Sequence, residues 1–118
     1  MTNESRRCGL EVALFVVGGK WKPLVLFHLY PGARRFGELR KLVTGISEKV
    51  LIQQLRELAD DGVISRRDYK EIPPRVDYEM TAFGRSLGEA LMPLCNWGDE
   101  HRRRIDKLRL ARTEEAAA

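Results

Sequence analysis

The chain has 118 residues, is 43% hydrophobic and carries a formal net charge of +4, with a pI of about 9.3; that is the length of one domain with one small core, and a basicity above the pI of ~9 at which nucleic-acid binders begin to stand out. Two cysteines, Cys8 and Cys95, are too few for a disulfide framework or a thiolate zinc site, so no metal and no cofactor is expected. No apolar stretch reaches the ~20 residues that span a bilayer, and residues 1–7 lack the apolar run of a signal peptide, so the expected location is cytoplasmic, with no membrane partner.

Residues 1–7 read as a polar flexible tail, followed by one domain over 8–112. Residues 8–17 are nearly all apolar, with Glu11 the one charge. A helix apolar all round must be buried all round, which in a small protein points to a subunit interface through Leu10, Leu14 and Val17. Gly18-Gly19 ends it. A second helix is predicted over 20–30, with Pro23 in its first turn and Trp21, Leu24, Val25, Phe27 and Leu29 filling the interior. Pro31-Gly32 breaks it. Arg34, Arg35 and Phe36 lead into a third helix over 36–43, and Thr44-Gly45-Ile46 forms a tight turn.

Ser47 caps a fourth helix over 47–60, with Leu51, Leu55 and Leu58 on one face and Gly62 as its stop. The period then changes from 3.6 to 2, predicting a hairpin over 63–80 with a tip stiffened by Pro73-Pro74. Thr81 caps a long last helix over 82–110. Its apolar stripe runs through Phe83, Leu87, Leu91, Leu94, Trp97, Ile105 and Leu108, and Pro93 should kink it. Residues 113–118 read as a flexible tail.

Two short helices joined by a tight turn and followed by a hairpin make a winged helix-turn-helix, in a fold that is mainly α with a small β-hairpin. The second helix of such a pair must show a polar face to the major groove while its other face stays packed. With the three leucines inward, the helix opened by Ser47 turns Lys49, Gln53, Arg56 and Asp60 outward, flanked by Val50 and Glu57. Lysine donates to a guanine edge, glutamine pairs with an adenine edge, and Val50 can meet a thymine methyl. Ser47 and the free amides at the helix start suit a phosphate, and Arg56 suits the backbone. On the wing, Arg67, Lys70 and Arg75, with Arg66 beside them, suit phosphate or the minor groove. Arg34 and Arg35 add backbone-positioning charge around the first helix of the pair. A solvated helix face and an ordinary charged hairpin would use the same residue types; the ordered combination favours DNA.

Cys8 with Gly18-Gly19-Lys20-Trp21, then Arg35-Phe36-Gly37-Glu38-Leu39, Gly45-Ile46-Ser47, Gln54-Leu55-Arg56-Glu57-Leu58, Asp61-Gly62, Pro73-Pro74-Arg75-Val76 with Tyr78, Thr81 with Gly84, and Trp97-Gly98 together resemble the HxlR family of bacterial transcription regulators, over about residues 8–97. The resemblance implies a winged helix that dimerises through its first and last helices, which adds Leu91, Leu94 and Trp97 to the interface. It also implies binding to paired half-sites of double-stranded DNA. Some members sense oxidants or electrophiles through an N-terminal cysteine, at the position that Cys8 matches. Arg6 and Arg7 precede Cys8 and a helix follows it; both favour the thiolate. A structural cysteine in the dimer interface is the plainer reading, and Cys95 reads as packing.

An enzyme is not expected: His28 sits in an apolar helix, His101 beside an arginine run, and no catalytic spacing or phosphate loop appears. The expected function is transcriptional control by a homodimer that represses by occupying a pseudo-palindromic operator, with an electrophile acting at Cys8 as inducer. The alternatives are a non-redox regulator of the same fold with a small-molecule inducer among Phe15, Trp21 and Trp97, and a winged-helix module that binds protein or RNA.

Overall fold

Val17, Val25, Leu26, Leu29, Leu39, Val43, Ile46, Leu51, Leu55, Leu58, Val63 and Ile64 are buried and form the core. The computed structural model describes residues 8–117. In order these form α1 (Gly9–Val17), α2 (Trp21–Leu29), β1 (Arg34–Arg35), α3 (Phe36–Leu42), α4 (Glu48–Asp60), β2 (Ile64–Asp68), β3 (Val76–Met80), α5 (Ala82–Glu100) and α6 (Arg102–Ala117). The chain divides into two units, one ending at Gly88 and one beginning at Glu89. The division falls inside α5 rather than at a linker.

In the first unit α2 packs on α3, α4 and β3, and α4 packs on β2. Leu51, Leu55 and Leu58 recur at the spacing of one helix face, which seats α4 on this core. Asp61 closes α4, and Gly62 follows with φ +74°, a conformation that glycine takes without steric cost. Ile64 then enters the sheet buried. The sheet is antiparallel, in the order β1-β3-β2. The predicted fold class therefore holds: a mainly helical winged helix-turn-helix with a small sheet.

Several expectations are corrected. The hairpin has a third strand, because Arg34 and Arg35 pair with Tyr78 and Asp77 on the free edge of β3; two residues carry no period from which to read this. In α2, Leu26 is buried while Leu24 and Phe27 are exposed, since positions 25, 26 and 29 share the inward face. Val17, expected at a subunit seam, is 4% exposed. Its side chain is already used within the chain and has little surface left for a partner.

The last helix is two helices. The backbone runs through Pro93 as one element and breaks at His101 instead. Proline removes the bond to the carbonyl of residue 89, and Glu89 is solvent-exposed, where water can take that place. At the break, His101 Nδ1 lies 2.8 Å from the Trp97 carbonyl oxygen. Only a protonated Nδ1 can donate there, beside the backbone bond that the His101 amide keeps to the same carbonyl at 3.1 Å. Residues 113–117, expected as tail, continue α6. The expected tail at residues 1–7 lies outside the described residues, as does Ala118.

Candidate nucleic-acid interface

The Ser47 hydroxyl oxygen accepts a hydrogen bond from the Val50 amide at 3.2 Å. That bond satisfies one of the amides left open at a helix start and fixes where α4 begins. The preceding turn depends on Gly45, at φ +87°, which lets buried Ile46 face the core. Arg40 of α3 pairs with Glu48 at 3.5 Å, and Lys22 of α2 pairs with Glu57 at 3.1 Å. These contacts tether the two flanks of α4 and leave its middle free.

Lys49, Gln53 and Arg56 are all exposed on that free face, and Val50 is half-buried. Sequence reasoning missed Ile52, which is 43% exposed between the same positions. Its signal was present: a β-branched apolar residue one step off the leucine face of an otherwise polar surface. The ion pairs among the described residues engage Lys22, Arg34, Arg40, Arg75, Arg102 and Arg109. Lys49, Arg56, Arg66, Arg67 and Lys70 stand outside them.

Residues directly opposite in an antiparallel sheet share a face, so the register sorts the wing's cations into two rows. Arg34, Tyr78 and Arg66 form one row, and Arg35, Asp77 and Arg67 the other. The first row faces the helices. Arg66 and Tyr78 line a cleft of about 460 Å³ with Ile52, Leu55, Arg56, Ala59 and Asp60 of α4. Arg34 is tied into the fold, donating from Nε to the His28 carbonyl at 2.6 Å and pairing with Glu38 at 3.7 Å. Burial of His28, and then the charge of Arg34, push its imidazole below the ordinary 6.5.

The second row is a connected cluster. Arg75 donates to Asp77 from Nε at 3.4 Å and from Nη2 at 3.2 Å, and the Tyr69 hydroxyl donates to Asp77 at 3.2 Å. The guanidinium carbons of Arg67 and Arg75 lie over the Tyr69 ring, 4.6 Å and 4.3 Å from its centre, within cation–π range. The Asp77 side chain is 13% exposed. The hydrogen bond from Arg75 holds the Asp77 carboxyl below its usual range and in turn raises Arg75. Lys70 is exposed at φ +54°, with its amide bonded to Asp68 at 2.9 Å. Arg35 is exposed, and its amide bonds Glu38 at 3.1 Å.

Cys8 is a free, exposed thiol at the start of α1, and Cys95 is a free, half-buried one. Leu10, Leu14, Leu94 and Trp97 are exposed and Leu91 is half-buried. The Trp97 ring stacks on His101, with centres 4.6 Å apart. Among the described residues no group of three or more His, Cys, Asp or Glu side chains could hold a metal. No single helix among them is long and apolar enough to cross a membrane.

Residues 16–106 match a family profile described as HxlR-like helix-turn-helix. The chain is 47% identical over 108 residues to YdeP, an uncharacterised HTH-type transcriptional regulator of Bacillus subtilis (strain 168), covering 92% of this chain and 84% of that one. It is 46% identical over 105 residues to YtcD, another such regulator of the same organism, covering 89% and 83%. Among solved structures it superposes on the redox regulator HypR in its reduced form with a TM-score of 0.79, at 37% identity, covering 85% of this chain and 99% of HypR.

Proposed function

The chain belongs to the HxlR-like helix-turn-helix family and is a DNA-binding transcriptional regulator; from that premise we propose that it acts as a symmetric homodimer whose two α4 helices enter successive major grooves of an inverted repeat. In this reading Lys49, Val50 and Gln53 read base edges. Ser47 and Arg56 meet phosphate, and Arg35, Arg67, Lys70 and Arg75 position the duplex through its backbone. Arg34 contributes charge from behind, since its guanidinium already serves His28 and Glu38. The observation that carries the reading is α4 itself: its leucine face is buried, its flanks are tethered, and Lys49, Gln53 and Arg56 are all exposed along one side.

Dimerisation is supported by apolar surface that each unit leaves uncovered. In the first unit α1 exposes Leu10, Leu14 and Phe15, the last at 79%. In the second unit, Leu94 and Trp97 are exposed. Leu91 extends that stripe. The half-sites would lie roughly 34–36 Å apart. The protein represses by occupancy, in the cytoplasm, with no catalytic step of its own.

We further propose that Cys8 makes binding responsive to oxidants or electrophiles. Its thiol is exposed at the N-cap of α1, so a change there sits on the helix proposed to join the subunits. The likeness to a protein described as a redox regulator favours this over a purely structural role. Footprinting on the DNA flanking the protein's own gene, with and without diamide, tests both parts. A symmetric protected inverted repeat that diamide abolishes is expected. Protection without symmetry would remove the dimer, and protection unchanged by diamide would remove the switch.

A further inference from the structure

Asp77 is out of place on a DNA-facing wing. A carboxylate near phosphates costs binding energy through like-charge repulsion, yet this one sits mid-row between Arg35 and Arg67. It also accepts hydrogen bonds from Arg75 and Tyr69. Arginine side chains carry much rotamer entropy, which a phosphate contact must freeze. Here the freezing is done in advance. Arg75 spends Nε and one Nη2 hydrogen on Asp77 and keeps Nη1. Arg67 spends no hydrogen on the cluster; only its planar face is engaged, over the Tyr69 ring that Asp77 also anchors.

We infer that Asp77 is a positioning residue for the wing's DNA contact: it holds Arg75, and through Tyr69 it holds Arg67, in orientations that present their remaining N–H groups to phosphodiester oxygens. The inference rests on the DNA-binding reading of the chain. It departs from plain electrostatics in sign. If Asp77 merely offsets one arginine, neutralising it tightens binding. If it positions, neutralising it loosens binding although the wing has become more positive.

The test measures binding of the full-length protein to a mixed-sequence DNA duplex across a range of salt, with thermal melting of every variant. Asp77→Asn is expected to weaken binding about tenfold, the equivalent of re-ordering one or two long side chains, at a temperature well below its melting point. Tyr69→Leu should weaken it similarly, and Tyr69→Phe, which keeps the ring, should weaken it less. In an Arg75→Ala background the loss caused by Asp77→Asn should shrink, because only Arg67, held through Tyr69, is then left to position. Equal or tighter binding by Asp77→Asn in the parent background overturns the inference, as does the same effect in both backgrounds. Should Asp77→Asn be unfolded at the temperature of the binding measurement, Tyr69→Leu decides in its place: unchanged binding by that variant overturns the inference. A parent protein that fails to bind the duplex at low salt would instead defeat the DNA-binding reading itself.

Discussion

Gly84 of α5 lies directly against the backbone of Val63: a Cβ on Gly84 would fall 1.9 Å from the Val63 carbonyl oxygen. The contact is braced by Thr81, whose hydroxyl oxygen accepts from the Gly84 amide at 3.0 Å and whose own hydrogen points to the Gly62 carbonyl at 2.6 Å. The root of the wing and the start of α5 thus meet backbone to backbone. Glycine to alanine inside a helix normally stabilises by up to about 1 kcal/mol. Here the obstacle is main chain, which no rotamer change relieves, so Gly84→Ala should destabilise by about 1–3 kcal/mol or more. Gly37→Ala in α3, where nothing lies within 4 Å of the added methyl, is the matched comparison and should be neutral or stabilising. Urea unfolding of both variants checks the pair; a Gly84→Ala protein as stable as the parent would show that the two segments can separate.

Gln53 projects from the exposed middle of α4, nearly two turns past the Ser47 cap. Gln53→Ala should cost about 1–3 kcal/mol on the preferred operator while leaving binding to unrelated duplexes nearly unchanged. Selecting bound sequences from a randomised pool with both proteins reads this directly, and preference should relax at one position of each half-site. A uniform loss on every sequence would assign Gln53 to the backbone instead.

The parts of this fold legible in the sequence are those with a local chemical cause. Ser47, the three leucines and Gly62 mark α4 because a cap, a period and a left-handed stop each act within a few residues. The cations of the wing could be named for the same reason. How they divide could not be: the two rows depend on the register of β1 against β3, set by pairing across more than forty residues. Asp77 lies within a segment that the sequence marks only as part of the hairpin, and only cross-strand neighbours reveal it as the centre of a cluster. Val17 looked like its neighbours in an apolar run, because composition alone does not say which side of a helix its own chain will cover.

His28 should give the protein a pH-sensitive stability. Its folded-state pKa is pushed below the 6.5 of a free imidazole, by burial first and by Arg34 second. The unfolded chain therefore takes up the proton at higher pH than the folded one, and stability falls as pH drops from about 6.5 towards the folded value. Asp77 adds nothing in that window, because its carboxyl is ionised in the folded and the unfolded chain alike until pH falls into the ordinary carboxylate range. Melting temperatures measured from about pH 8 to about pH 5 should decline more steeply for the parent than for His28→Gln. Parallel curves would mean that the imidazole is hydrated in the folded state.

The exposed side of α1 should govern assembly rather than folding. Phe15 is 79% exposed, so Phe15→Glu removes little that the isolated chain uses. Sedimentation should show a dimer for the parent and a monomer for the variant. Operator affinity should fall steeply while weak non-specific binding survives, because each subunit keeps its own α4. A variant that remains dimeric would move the interface away from α1.

Cys8 supplies the most direct test of the proposed signal. Diamide takes two electrons and two protons from a pair of thiols, which join as a disulfide, so Cys8 needs a second thiol. Cys95, the Cys8 of a second subunit and a small thiol in solution are the choices, and the two protein pairings require Cα atoms within about 7 Å. Cys8→Ser should bind the operator like the parent under reducing conditions and should ignore diamide. Cys95→Ser then sorts the partners. Loss of the response in this variant assigns Cys95. A retained response with a covalent dimer on a non-reducing gel assigns the second subunit, and a retained response without one assigns the small thiol. A Cys8→Ser protein that diamide still releases from DNA would place the sensing chemistry elsewhere in the chain and leave Cys8 a structural residue at the head of α1.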